Sequence, residues 1–489
     1  MEFVAVLFAM AGLVWLVPLL RIINLPVFAF IVLITGTFFG PPFFAVESVL
    51  QISADRLLWL VLLALYVINW RLGKTPAIGF SRCDFALFAF LLFLAVSSQV
   101  GPAPPKENPL ARWIFYVLMP MGLYWSIRCS SLTRRDLDLI INGIVGLGVY
   151  LGITGLFEAK GLHGLVFPRY VVDPAIWEFF GRARGPMLNP AGNGVVLGTS
   201  LAAAACRWVQ ADRQGKLLYG VAILCILAGI YATLTRGVWV GGILALGVVV
   251  LNYSPRWLRI WGLAVVVVLF AAMSLGLKDQ MLAMKRDKHL PAEDAAKSIK
   301  LRPLLAIVAL EMFKDAPLTG HGFGHYFQHA DRYYEVRSYD LPVEMARGYM
   351  QHNVLLSILV DTGLIGLSCF VGALLFWTSY GLRFARDHSL DPAVQSWGLI
   401  SLGMLVTYLF NGMFQDMLVM PMVQMHLFFI MGVLASLVSQ RGMLFESARA
   451  GTRFGPLSAS IAAVLPQGRV ANASQEVAAK LSIRGNHPG

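Results

Sequence analysis

The chain has 489 residues, of which 57% are hydrophobic and only 13% charged, and its formal net charge is +12. Soluble globular chains carry about 25% charged residues. This chain therefore cannot cover its apolar surface with polar groups, which excludes a soluble enzyme, a disordered regulator and a nucleic-acid-binding domain. Long apolar stretches point instead to a polytopic membrane protein, with the positive balance reflecting topology and an anionic substrate.

In chain order, thirteen apolar segments are long enough, or nearly so, to cross a bilayer: 3–20, 22–39, 56–70, 84–100, 112–127, 137–157, 187–206, 217–234, 238–252, 259–277, 353–380, 394–411 and 420–439. Backbone groups in lipid must be hydrogen-bonded internally, so helices are expected and the fold class is an all-α transmembrane bundle. Arg21 and Pro26 mark either a turn or a kink, which sets the count at about 12 to 14 helices. One set of short loops carries Arg71, Lys74, Arg82, Arg128, Arg134, Arg135, Arg207, Arg213, Lys216, Arg256, Arg259, Arg383 and Arg386, and the opposite loops are poor in cations. The positive-inside rule puts the first set in the cytoplasm. It leaves 158–186, the turn at 235–237, the long polar segment 278–352 and the N-terminus outside. No basic leader precedes the first apolar run, so that run does not read as a cleaved signal. The expected organisation is one membrane domain over 1–439, including the outer loop 278–352, and a cytoplasmic, mostly disordered tail over 440–489. Asn472-Ala-Ser474 fits a glycosylation sequon, but a cytoplasmic tail never meets that machinery. The five cysteines (Cys83, Cys129, Cys206, Cys225 and Cys369) are scattered and suggest neither disulfides nor metal.

Three outward-facing places hold unusual polar residues. In Gly181-Arg-Ala-Arg-Gly-Pro-Met-Leu-Asn-Pro190, Asn189 is placed to cap the following helix. Arg182 and Arg184 lie beside that helix N-terminus as an anion site, the alternative being interfacial anchoring. In Leu234-Thr-Arg-Gly237, Arg236 occupies a tight turn on the cation-poor side. Its alternative role is pairing with a loop carboxylate. In Tyr349-Met-Gln-His352-Asn353, His352 stands at a loop–helix junction, where a histidine accepts a proton near neutral pH or simply caps the helix. Asp361 lies roughly two turns further in, where an acid is paired or faces a cavity. Two other patterns carry less. His321, His325 and His329 have helical spacing, but Gly320, Gly322 and Gly324 break the helix that a metal site would need. Asp136-Leu-Asp138 looks like a metal-binding aspartate pair, yet it reads as a solvated helix start beside Arg134 and Arg135.

The ordered set formed by Arg182 to Pro190, Thr235-Arg236-Gly237, Pro317-Leu-Thr-Gly-His-Gly-Phe-Gly324, and His352-Asn353 with Asp361-Thr-Gly-Leu-Ile-Gly366 resembles the O-antigen ligase/polymerase family of bacterial membrane proteins. The resemblance covers about 180–370; the early helices match only in hydropathy. The family more often has Ser where Thr235 stands and Glu where Asp361 stands. Its arginine aligns better with Arg182 than with Arg184, without deciding between them.

The resemblance implies glycosyl transfer on the periplasmic face of the bacterial inner membrane, from a glycan on undecaprenyl diphosphate. The acceptor is lipid A core for a ligase or another lipid-linked repeat for a polymerase, and some relatives glycosylate proteins. Polysaccharide assembly proteins are further partners. Fixed arginines suit a metal- and cofactor-independent reaction: the departing diphosphate needs charge stabilisation and no general acid. The residues implied are Arg236 with Arg182 or Arg184 on the diphosphate, His352 as base toward the acceptor hydroxyl, and Asn189, His321 and Asp361 in support. One displacement inverts the anomeric centre, and no carboxylate pair at glycosidase spacing suggests a covalent intermediate. Two other classes compete, a flippase of lipid-linked sugar and a non-catalytic assembly scaffold. A flippase often shows inverted repeats, and none is visible here.

Overall fold

A computed structural model describes residues 24–45, 51–76, 78–99, 101, 108–255, 257, 259–260, 292–335 and 341–450, and all statements here concern them. The fold is an all-α, multi-pass membrane bundle. Its helices are α1 (Leu25–Phe39), α2 (Ala54–Arg71), α3 (Arg82–Ser97), α4 (Pro109–Trp113), α5 (Met119–Arg128), α6 (Arg134–Ala159), α7 (Pro190–Gln210), α8 (Arg213–Ala232), α9 (Arg236–Tyr253), α10 (Ala292–Asp315), α11 (Val354–Arg386), α12 (Pro392–Gly412) and α13 (Pro421–Ala450). A π-helical turn over Ile114–Leu118 joins α4 to α5, so the two make one interrupted span.

Eleven of the thirteen expected spans fall on these helices; 3–20 and nearly all of 259–277 lie outside the described residues. Six described helices are long and apolar enough to cross a membrane unaided: α6, α8, α9, α11, α12 and the Pro421–Gln440 part of α13. The others fall short for legible reasons. α1 and α3 are short, and α2 carries Asp55, Arg56 and Arg71. Within the outer segment the described residues start with the 24-residue α10, and α13 runs to Ala450, eleven residues beyond the expected end of the membrane domain. Residues 451–489 of the expected tail are outside the description.

α7 is the pillar of the bundle, buried along almost its whole length and packed against α6, α8, α9 and α12. Its sequence explains this. Gly192, Gly194, Gly198 and Ala202 to Ala205 present almost no side chain, so neighbouring backbones approach closely, as membrane helices require when dispersion forces drive packing. The same logic joins α6 to α8: a Cβ on Gly229 would lie 2.5 Å from the Cα of Gly152.

The end of the bundle expected in the cytoplasm is tied by ion pairs. Arg128, buried, donates to both carboxylate oxygens of Asp84 at 2.6 and 2.8 Å, to Ser439 Oγ and to the Gly79 carbonyl. Arg134 pairs with Asp138 and Asp391, and Arg207 with Asp138. Asp136 and Asp138 do open α6, but they are not a solvated start. Asp136 is buried, closing a capping box with Thr133 and accepting from Asn24, while Asp138 bridges two arginines.

At the other end, α11 is broken. Gly363 has φ of 61°, a left-handed value that glycine adopts without penalty, in the middle of an otherwise helical run. The backbone groups released by the break are met by the loop before it. His321 N and Gly322 N donate to the carbonyls of Val360 and Asp361 at 2.9 and 3.0 Å. Leu364 N and Ile365 N donate to the carbonyls of Pro317 and Leu318 at 2.9 and 3.2 Å. Apolar surroundings demand such partners for every exposed peptide group. A Cβ on Gly320 or Gly363 would collide with the opposing backbone at 2.4 Å, so both glycines are required by the close approach.

Candidate functional site

The segment before α7 separates the two candidate arginines. Arg184 is fully buried in a cage of carbonyls: Nε donates to Val171 (3.0 Å), Nη1 to Glu178 (2.6 Å) and to Ile176, and Nη2 to Asp173 (3.2 Å). Glu158 of α6 lies 3.6 Å from its Nε and accepts from Gly185 N. These bonds hold the 166–185 loop onto α6, so Arg184 is built into the scaffold. Arg182 turns the other way. Its Nε donates to the Thr233 carbonyl at 3.2 Å and its Nη2 to Thr235 Oγ1, and its guanidinium lies 5.2 Å from the Phe179 ring. The first and second motifs are thus joined directly, and the hydroxyl at 235 has a stated use. Asn189 is spent as a cap: its Oδ1 accepts from Ala191 N and Gly192 N.

Arg236 is the first residue of α9, half-buried, directly after Thr235 at the N-cap. Its neighbour Gly237 faces the end of α12 and the turn beyond: a Cβ there would lie 3.2 Å from Asn411 Oδ1 and 3.7 Å from the Phe414 ring. The guanidinium of Arg302, from α10, lies 5.4 Å from the same ring. Arg302 lies close enough to His352 to act on its charge. Burial first, and Arg302 second, hold the imidazolium pKa below the usual histidine value of 6.5. The neutral imidazole is therefore the form present at pH 7, ready to accept a proton. Asn353 fixes this junction, since its Oδ1 caps α11 at Leu355 N and Leu356 N while its Nδ2 donates to the Met413 carbonyl.

Contacts thus run from Arg182 to Thr235, from Gly237 to Phe414 and from Phe414 to Arg302, whose charge acts on His352, across elements distant in sequence. His321 and Asp361 lie elsewhere. His321 Nε2 is 2.8 Å from the Met312 carbonyl and its ring packs near His329 and Tyr333, in the core of the outer loop. Asp361 is buried at the helix break, within electrostatic reach of Tyr326. His325 bonds Gln328 and the Ser98 carbonyl, and among the described residues no cluster of three potential metal ligands exists.

Two participants were missed from sequence. Arg302 had a signal: Leu301, Leu304, Leu305, Val308, Ala309 and Met312 recur at helical spacing inside the polar segment, which sets Arg302 off the apolar stripe. The turn 413–420 had a fainter one, as Asp416 is the only acid between Asp391 and Glu446.

Residues 221–371 match the family model described as O-antigen ligase. That stretch includes Arg236, Arg302, His352 and Asp361, and excludes Arg182, Arg184 and Asp416. No curated protein matches the chain.

Proposed function

We propose, from the match of residues 221–371 to the O-antigen ligase model, that this chain acts as an O-antigen ligase-like transferase, moving a glycan from undecaprenyl diphosphate to a surface acceptor, lipid A core in the leading reading. The observation that carries this is the chain of contacts from Arg182 through Thr235 to the start of α9, where Gly237 faces Phe414, and from Phe414 to Arg302, whose charge acts on His352.

The chemistry is a single displacement. The acceptor oxygen forms the new glycosidic bond as the anomeric carbon–phosphate oxygen bond breaks, and the bonding pair leaves with the diphosphate. Arg182 and Arg236 stabilise the charge gathering on that diphosphate, since guanidinium groups match phosphate oxygens bidentately and are prepositioned here. Bonds from Arg182 to Thr233 and Thr235 fix its fork beside Arg236. His352, neutral at pH 7, takes the acceptor proton, and Arg302 opposes premature protonation. Attack from the face opposite the leaving group inverts the anomeric centre. The reaction sits at the outer end of an inner-membrane bundle, with the polyprenyl tail between helices and the outer loop over the acceptor. The membrane domain spans 1–439.

The test is a deletion strain scored on gels for surface polysaccharide and lipid-linked intermediates, complemented with wild type or Arg236→Ala. Long unattached lipid-linked polymer in the deletion identifies a ligase. Single repeats, attached or stalled, identify a polymerase using the same donor chemistry. Repeats trapped on the cytoplasmic face would replace the enzyme with a flippase. Full complementation by Arg236→Ala would leave only a scaffold.

A further inference from the structure

The turn between α12 and α13, Met413 to Met420, reaches the sequence neighbours of Arg236 and His352 and the side chain of Arg302, and it lies beyond the matched family region. Its Met413 carbonyl accepts from Asn353, the neighbour of His352. Its Phe414 ring is approached by Gly237, the neighbour of Arg236, and by the guanidinium of Arg302. Met420 meets Gly192 at the start of α7.

The turn itself is held by a buried carboxylate. Asp416 is 2% exposed; its Oδ2 accepts from Ser357 Oγ at 2.7 Å and its Oδ1 from Leu418 N at 2.9 Å. Ser357 stands one turn after Asn353 on the same face of α11. On the other flank, Gln424 Nε2 donates to the Met417 carbonyl and to Tyr408 Oη. Burial raises the Asp416 carboxyl to about 6, with Ser357, the Leu418 amide and Arg112 pulling it back down. At pH 7 it is therefore mostly ionised and accepts both bonds. A buried carboxylate is costly to keep, so its placement against α11 calls for a reason beyond packing.

We propose that Asp416 is a positioning residue for glycosyl transfer: by clamping the 413–420 turn to Ser357 of α11, it sets Phe414 against the start of α9 and Arg302 and so fixes His352 relative to the arginines. This rests on the transfer reading above. Asp416 touches neither donor nor acceptor. It acts through the turn, and small displacements of reacting groups are expensive in rate.

The experiment uses the full chain in the complemented deletion strain, with surface polysaccharide as the transfer readout. Purified protein in detergent reports binding of undecaprenyl diphosphate. Asp416→Ala is expected to lower transfer at least about tenfold, while affinity for undecaprenyl diphosphate stays within about threefold. Asp416→Asn can still accept from the Leu418 amide and donate to Ser357, so it should keep a third or more of transfer, to order of magnitude. Ser357→Ala, which removes one bond, should cost roughly threefold to tenfold.

Unchanged transfer in Ser357→Ala overturns the proposal, and this variant decides the matter if Asp416→Ala fails to insert. Parallel loss of binding and transfer in Asp416→Ala would make Asp416 a donor contact. Equal failure of Asn and Ala would make its charge, and not its position, the requirement. Arg236→Ala is scored alongside. If it transfers normally, the donor reading fails. If it is inactive while Ser357→Ala and Asp416→Ala are normal, only the role of Asp416 falls.

Discussion

The two ends of the bundle use arginine in opposite ways. At the end expected in the cytoplasm, guanidinium groups meet carboxylates: Arg128 meets Asp84, Arg134 meets Asp138 and Asp391, and Arg207 meets Asp138. These pairs close the ends of helices. At the other end, the bonds described for Arg182 run to a carbonyl and a hydroxyl, and Arg184 is held chiefly by four carbonyls. Neutral oxygens orient these guanidinium groups, and Arg184 also has the Glu158 carboxylate 3.6 Å away. Ion pairs stabilise a scaffold, whereas carbonyl-held arginines can both stabilise it and receive an anion.

The largest effect that would break this contrast is at Arg236. Arg236→Ala should abolish detectable surface polymer at normal membrane levels, a loss of about 100-fold or more, read on the complementation gel. Next come the neighbours in the first motif, which should split. Arg184→Ala strands Glu158 in the interior and should cost on the order of 3–5 kcal/mol, seen as lost protein or a lower unfolding temperature. Arg128→Ala at the opposite end should behave the same way. Arg182→Ala should leave protein levels near normal while transfer falls roughly tenfold to 100-fold. Equal loss of folding in both Arg182→Ala and Arg184→Ala would erase the distinction drawn between them.

A smaller effect should appear in the pH profile. Because burial and Arg302 depress the His352 pKa, transfer should hold at pH 7 and fall as pH drops below the usual histidine range. The stability term has the same direction. The unfolded histidine binds its proton at about 6.5, so the folded state is undercut progressively as pH falls from there toward its own lower pKa. Arg302→Gln removes one of the two causes and should move the acid limb toward neutral pH. An unmoved limb in a titration of transfer activity would dissociate Arg302 from His352. The smallest effect is expected at Arg347, whose exposed pairs with Asp331 and Glu335 should matter by no more than about 0.5 kcal/mol. Thermal unfolding of Arg347→Ala checks this.

Much of the fold was legible because lipid imposes one rule on every span, and a run of apolar residues satisfies it in only one way. The site was legible in part. Thr235-Arg236 and His352-Asn353 stand at chain turns, where composition changes sharply. Arg182 and Arg184 could not be separated, because alternate residues of an irregular loop point wherever the local backbone turns, and no periodicity governs them. Asn189 reads as a cap and is one; at the other junction the cap reading fell on His352, whereas its neighbour Asn353 does the capping. His321 shares a motif with the site, but its imidazole serves the loop core: the motif's function is carried by its backbone at the break in α11. Arg302 and Asp416 were obscured because their roles depend on contacts across 50 or more residues of chain.

The joint between Pro317–Gly322 and Val360–Ile365 also governs how the outer loop can be exchanged. The loop donates two hydrogen bonds to the interior of a helix and accepts two from it, so the two segments form one indivisible piece of backbone. A chimaera that takes its acceptor specificity from a relative must cut inside 323–350, leaving both strands of the joint native, or carry both across together. Grafts that divide the joint would leave peptide groups unbonded in the membrane, and such hybrids should fail at insertion before specificity can be read.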